Sequence, residues 1–224
     1  MSAVVKADRC TLQRFPLHAR YGDKRGQDNP SYLDAEYAQR AVIDPLIAGL
    51  GDRTLAVLWQ FSPHDVREPR AFASELNAFL RRISGVVSAV ELRNRELLTP
   101  EYGEALADAG AIHCHNAWTS MPSVLAQARA LPPSTRRPLL IRWLLRPNER
   151  FEDAKARYLP FDKIVEEDLV TRDQVATLIT KAHAHGVPAY ALVDNKAEGS
   201  APESIVRLAR TVVERLKIGS REVV

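Results

Sequence analysis

The chain has little cysteine, no long apolar run and almost no surplus of charge, and each shortage removes a class of protein. Its two cysteines, Cys10 and Cys114, form neither a CxxC pair nor a zinc-ligand spacing. That argues against a disulfide framework and fits a reducing, cytoplasmic setting. No apolar stretch approaches the roughly 18 residues of a membrane span. Residues 1–20 carry no continuous hydrophobic segment behind a basic start, so neither insertion nor export is expected. The net charge is only +3, and a nucleic-acid-binding surface would need its basic residues clustered. No GxGxxG follows a strand-like run and no GxxxxGK motif occurs, which removes the usual nucleotide-binding loops.

What the chain does have is a repeated unit, a short apolar run of strand character ending in a polar or ionisable residue and followed by a capped amphipathic helix. The runs are SAVVKAD, TLAVLWQF, VVSAVELRN, GAIHCHN, PLLIRW and PAYALVDN. Between them lie helix patterns. Ser31 is placed to cap a helix through Tyr32, Tyr37, Ala41, Ile43 and Leu46; Phe72, Leu76, Phe79 and Leu80 recur at helical spacing after Pro69. Thr99-Pro100 opens a helix that ends at Gly110, another runs near Ser120 to Arg129, and Thr171–Gln174 and Ser200–Glu203 read as capping boxes. With 46% apolar residues over 224 positions, a single domain spanning 1–224 is expected.

Strands alternating with helices predict a parallel sheet joined by right-handed crossovers, either doubly wound or a (β/α) barrel. Polar residues at nearly every strand end favour the barrel, whose active site is assembled from many strand ends. Residues two apart on a strand share a face, so Glu91 pairs with Arg93 and His113 with His115. If that face is the barrel interior, a carboxylate, a guanidinium and two imidazoles converge there, with Arg142 and Lys6 adding cations and Gln60 and Asn195 neutral ends. Cys114 is expected on the opposite face, beneath a helix. His113, His115 and Glu91 with Asp194 or Asn195 form at best a weak metal set, and neither a metal nor a cofactor is assigned. Gly199 and the helix capped by Ser200 make 195–203 a candidate anion site. Trp59 and Trp143 are expected to pack under helices, Trp118 to lie in a loop where it can line a pocket, and His183 and His185 to be solvated. The cluster Arg9, Arg14, His18, Arg20, Lys24 and Arg25 reads as a basic loop.

LWQFSP at 58–63, VELRN at 90–94, His113-Cys-His-Asn116 and DNKAEGSAPES at 194–204 together resemble the YecE-like family, domain of unknown function 72. AVVKADR at 3–9 is similar to that family's third strand. The resemblance covers nearly the whole chain. It implies a TIM-like (β/α) barrel, α/β in class, and it delivers no reaction. Family members usually carry two further βα units ahead of the lysine strand, so the barrel is expected to be incomplete at its N-terminus, at about six of eight units, with open edges on its first and last strands. A miscalled start at Met1 is the favoured explanation, ahead of a partner chain or a degenerate remnant. VELRN also departs from the family's usual Glu-Phe-Arg.

The expected function is therefore an enzyme-like polar pocket at the strand C-termini that binds an anionic or sugar-like small molecule. Glu91 or His113 would transfer protons, in hydrolysis or isomerisation, and Lys6, Gln60, Arg93, Asn94, Asn116, Arg142, Asn195 and Gly199 would bind substrate. The alternatives are a nucleic-acid-handling barrel using the basic loop, and a non-catalytic remnant that self-associates through its strand edges.

Overall fold

None of the six strand-like runs has glycine or proline inside its strand. In the computed structural model, which describes residues 3–7, 9–62 and 68–221, the units follow in order. β1 (Ala3–Ala7) leads to α1 (Ala35–Ala38) and α2 (Asp44–Leu50), β2 (Thr54–Gln60) to α3 (Pro69–Leu80), and β3 (Ser88–Glu91) to α4 (Pro100–Ala109). β4 (Ile112–Ala117) leads to α5 (Val124–Ala130), β5 (Leu139–Trp143) to α6 (Phe151–Tyr158) and α7 (Leu169–Ala184), and β6 (Ala189–Val193) to α8 (Ala201–Arg221).

The strands lie in sequence order β1-β2-β3-β4-β5-β6, and all pairings are parallel. This is an incomplete TIM-like (β/α) barrel, with six of the eight units of the complete fold. β3 and β4 are buried along their whole length, whereas β1 and β6 are mostly half-buried, as end strands with one neighbour each among the described residues. Among the described residues no helix is long and apolar enough to cross a membrane. The chain divides into two compact units, Met1–His113 and Cys114–Val224.

In the N-terminal unit the helix layer packs through aromatic rings. Trp59 meets Phe79 edge-on at 5.0 Å while its indole donates to Ser88 Oγ at 3.0 Å, and Phe61 meets Phe72 in the same way. Cys10 is fully buried, and burial, with Asp34 nearby, pushes its thiol up to about 11. In the C-terminal unit Trp143, Ile141, Val175 and Leu208 form the corresponding core.

Two helix starts differ from the expectation. Asp34, not Ser31, caps α1 by accepting from Tyr37 N at 3.0 Å. Ser31 belongs to a turn held by the buried Asn29, whose Oδ1 takes the Ser31 amide, and Leu33 at φ 48° still lies outside the helix. Asp168, not Thr171, caps α7; Thr171 supplies the amide that the Asp168 carboxylate accepts, one turn later than a cap would stand. Thr99 and the Pro69 start stand where helix-start rules place them, while α5 is capped by Ser123 and not opened near Ser120.

The loop before α8 is locked by its own chain. Gly199 has φ 115°, and a Cβ there would lie 2.6 Å from Lys163 O and 2.9 Å from Val165 N. The Val165 and Glu166 amides donate to Glu198 O at 2.8 and 3.2 Å, while the buried Glu198 carboxylate accepts from Asp168 N and from Arg172 Nη2. Replacing Gly199 with alanine therefore adds a disfavoured dihedral and a backbone clash. Gly199→Ala is expected to destabilise the chain by more than about 1 kcal/mol in urea denaturation; an unchanged midpoint would show that the segment 163–166 does not press on this loop.

Candidate functional site

Register decides which strand-end residues meet. Gln60 is the neighbour of Glu91 across β2–β3, and Val90, not Glu91, is the neighbour of His113 across β3–β4. Side chains on neighbouring positions share a face, so the N-terminal unit presents two sets. Lys6, Leu58, Gln60, Ala89 and Glu91 face one way; Trp59, Ser88, Val90 and His113 face the helices.

The first set forms a small charged hub. Arg93 Nε donates to Glu91 Oε1 at 2.9 Å, and its Nη2 donates to Gln60 Oε1 at 3.1 Å. Glu91 is fully buried, while the Arg93 side chain keeps 12% of its surface exposed. Lys6 is exposed on the same face, two positions before the Gln60 level. Asn94 sits at the end of this segment, where its Oδ1 accepts from Glu96 N at 3.1 Å and starts a tight turn.

His113 does not join that hub. Its Nδ1 lies 2.9 Å from the hydroxyl of Tyr102 on α4, with the rings edge-on at 5.8 Å. Glu91 and Arg93 lie together, as their two-residue spacing predicts, but the two histidines, expected on the same face, do not share it. The alternation inverts that expectation, so Glu91 and His113 stand on opposite sides of the sheet and cannot serve one proton-transfer site or one metal ion.

The C-terminal unit repeats the pattern. His115 is level with Ile141 and Ala191, which belong to the helix-side core, whereas Cys114 is level with Leu140 and Tyr190 on the other face. Cys114 is thus buried as expected, with its face and that of His115 exchanged. Asn116, Arg142 and Leu192 are neighbours across β4, β5 and β6, with Asn116 fully buried and Arg142 half-buried. Asn195 and Gly199 do structural work: Asn195 Oδ1 accepts the first amide of α8, Ala201 N, at 2.8 Å, and its carbonyl accepts from Gly199 N.

Four polar residues of this unit escaped the sequence argument. Gln127, fully buried on α5, pairs with both backbone groups of Asn116 and with Pro122 O, closing the end of β4. Lys196 is paired with Asp194 at 2.7 Å and lies over the rings of Phe151 and Phe161. Arg146 and Arg157 both bind Glu166, whose carboxyl Arg146 holds below the usual range. Gln127 and Arg157 lie on helices, off the apolar positions that mark them, and Arg146 and Lys196 just past strand ends, where no periodicity points to them. Trp118 packs on Phe151 and lines a cavity of about 330 Å³ together with Met121, Arg146, Asp168 and Gln174.

Because the folded Glu166 value lies below its unfolded one, the stability it adds is present above the unfolded value and is lost as pH falls through the depressed folded one. Glu166→Gln is expected to flatten the acid limb of a stability-against-pH curve below about pH 4.3; an acid limb identical to that of the parent chain would refute the pairing.

Comparison with known proteins gives family and fold. No curated protein matches the chain. A DUF72 family protein from Enterococcus faecalis V583 matches with a TM-score of 0.56 at 14% identity, over 86% of this chain and 68% of that one. A DUF72 family protein from Thermotoga maritima MSB8 matches with a TM-score of 0.52 at 22% identity, over 80% of this chain and 64% of that one. A second structure of the Enterococcus protein matches at 0.55 and 13% identity, covering 96% of this chain and 89% of that one. At such identities the likeness is one of fold. The family model described as "Protein of unknown function DUF72" matches residues 17–222, and the chain therefore belongs to the DUF72 family.

Proposed function

We propose that the strand-end face of the N-terminal unit binds an anionic or polyhydroxylated small molecule, with Arg93 as the group that recognises it. The observation that carries this reading is the preorganised guanidinium. Arg93 is held on two of its nitrogens by a fully buried carboxylate and a glutamine carbonyl, at the C-terminal end of its strand, and it retains access to solvent. A buried ion pair contributes little net stability compared with well-packed apolar residues, so its presence points to use rather than packing. With Lys6 included, the described residues of this face carry two cations and one anion, which favours a negatively charged or hydroxyl-rich ligand. Among the described residues of this face, Glu91 is the group placed to transfer a proton, in hydrolysis or in isomerisation. In the C-terminal unit, Asn116 and Arg142 are the equivalent strand-end residues.

The nucleic-acid reading has less support. In the basic loop Arg14 is paired with Asp28, Arg20 stacks on Tyr21, and Arg25 bonds Gly22 O, so these cations already have partners within the loop.

Titration of the full chain with inorganic phosphate and with a hexose phosphate, followed by backbone amide shifts, tests the proposal. Binding is expected to move Gln60 and Arg93, and Arg93→Lys, which keeps the charge but loses the planar fork, should weaken it by about tenfold or more. No shift up to about 10 mM of either probe, or binding indifferent to Arg93→Lys, would count against it.

A further inference from the structure

α8 is apolar around more of its circumference than its own unit covers. Leu208 and Val212 join the core beside Trp143 and Val175, and Arg207 and Arg215 pair with Glu167 and Asp173, which fixes the flank that faces α7. Beyond Val212 the helix surface stays apolar. Pro202, Ile205, Val206, Ala209 and Val213 are exposed, with Ile205 at 48%, Val206 at 50% and Val213 at 47%, and Leu216 is half-buried. At about 100° per residue these positions fall within an arc of roughly 120° that contains no charged side chain.

Their spacing is that of a helix–helix seam. Pro202, Ala209 and Leu216 recur every seven residues, as do Ile205 with Val212 and Val206 with Val213. The set is also symmetric about Ala209, since apolar residues stand three, four and seven positions away in both directions. A surface that reads the same in both directions is self-complementary under a two-fold axis.

We infer that this flank is the contact between two copies of the chain, with the two α8 helices packed antiparallel about an axis at Ala209. The small Ala209 side chains let the helices approach closely, and Ile205 of one copy packs against Val213 of the other. The charges along the margin agree with that direction, because Glu203 near the N-terminal end of the flank meets the second copy's Lys217 near its C-terminal end, twice over. Arg210 lies beside the axis on the same margin, where it meets its own copy at the solvent edge of the seam.

Sedimentation velocity of the full chain from about 1 to about 100 µM tests the inference. A monomer–dimer equilibrium is expected, together with monomers only for Val213→Asp, whose thermal unfolding should stay close to the parent's because Val213 is half-exposed in a single copy. Glu203→Lys and Lys217→Glu should each weaken the dimer by about tenfold, and the double exchange should restore it. Under mild oxidation Ala209→Cys should form a cross-linked dimer, while the native Cys10 and Cys114, both fully buried, stay unreactive. A monomer at every concentration, polymers that keep growing, association untouched by Val213→Asp, or no cross-link through Cys at 209 would each overturn the inference. Monomers only would mean that the flank accepts a helix from a different chain or from none.

Discussion

Everything in this sheet follows from one constraint: neighbouring side chains on a strand face opposite ways, and the parallel register carries that alternation from strand to strand. Once Trp59 is committed to the helix layer by its contact with Phe79, the faces of Val90 and His113 are decided with it, and Gln60 and Glu91 must face the other way. The same rule sends His115 to the helix-side core of the second unit and leaves Asn116 and Arg142 level with one another. The chemistry is therefore sorted by register. Imidazoles lie among helices, while the charged and amide groups share the face away from them.

That sorting makes the Glu91–Arg93–Gln60 hub informative. Glu91 has no contact with solvent and would be costly as an isolated charge; Arg93 supplies the opposite charge and a directed hydrogen bond. A leucine and a methionine would fill the same space without that cost. His113 shows the contrast, because it is bonded to Tyr102 within the helix layer.

Much of the fold was legible in the sequence, because strand and helix periods and the Thr99 and Pro69 starts are local properties. The pairing of Glu91 with Arg93 was legible for the same reason, being a matter of two positions on one strand. The relation of Glu91 to His113 was not, since it depends on a one-residue register offset between strands that no local pattern records. Ser31 and Thr171 failed as caps because a better-placed aspartate stood nearby and the backbone turn at Leu33 delayed the first helix. Asn195 and Gly199 were read as part of an anion site, whereas the group pressed against Gly199 is the chain's own segment 163–166. A contact between residues that distant in sequence leaves no local trace.

The central claim is that the charged hub is kept for binding and not for stability. The most direct measurement is the unfolding free energy of the Glu91→Leu/Arg93→Met double variant against the parent chain and the two single variants. The account predicts that each single change costs about 3 kcal/mol or more, because it leaves a buried charge or its partner alone, while the double variant is as stable as the parent or more so. A double variant at least as unstable as the worse single one would contradict it, and would make the pair a structural clamp at the strand ends.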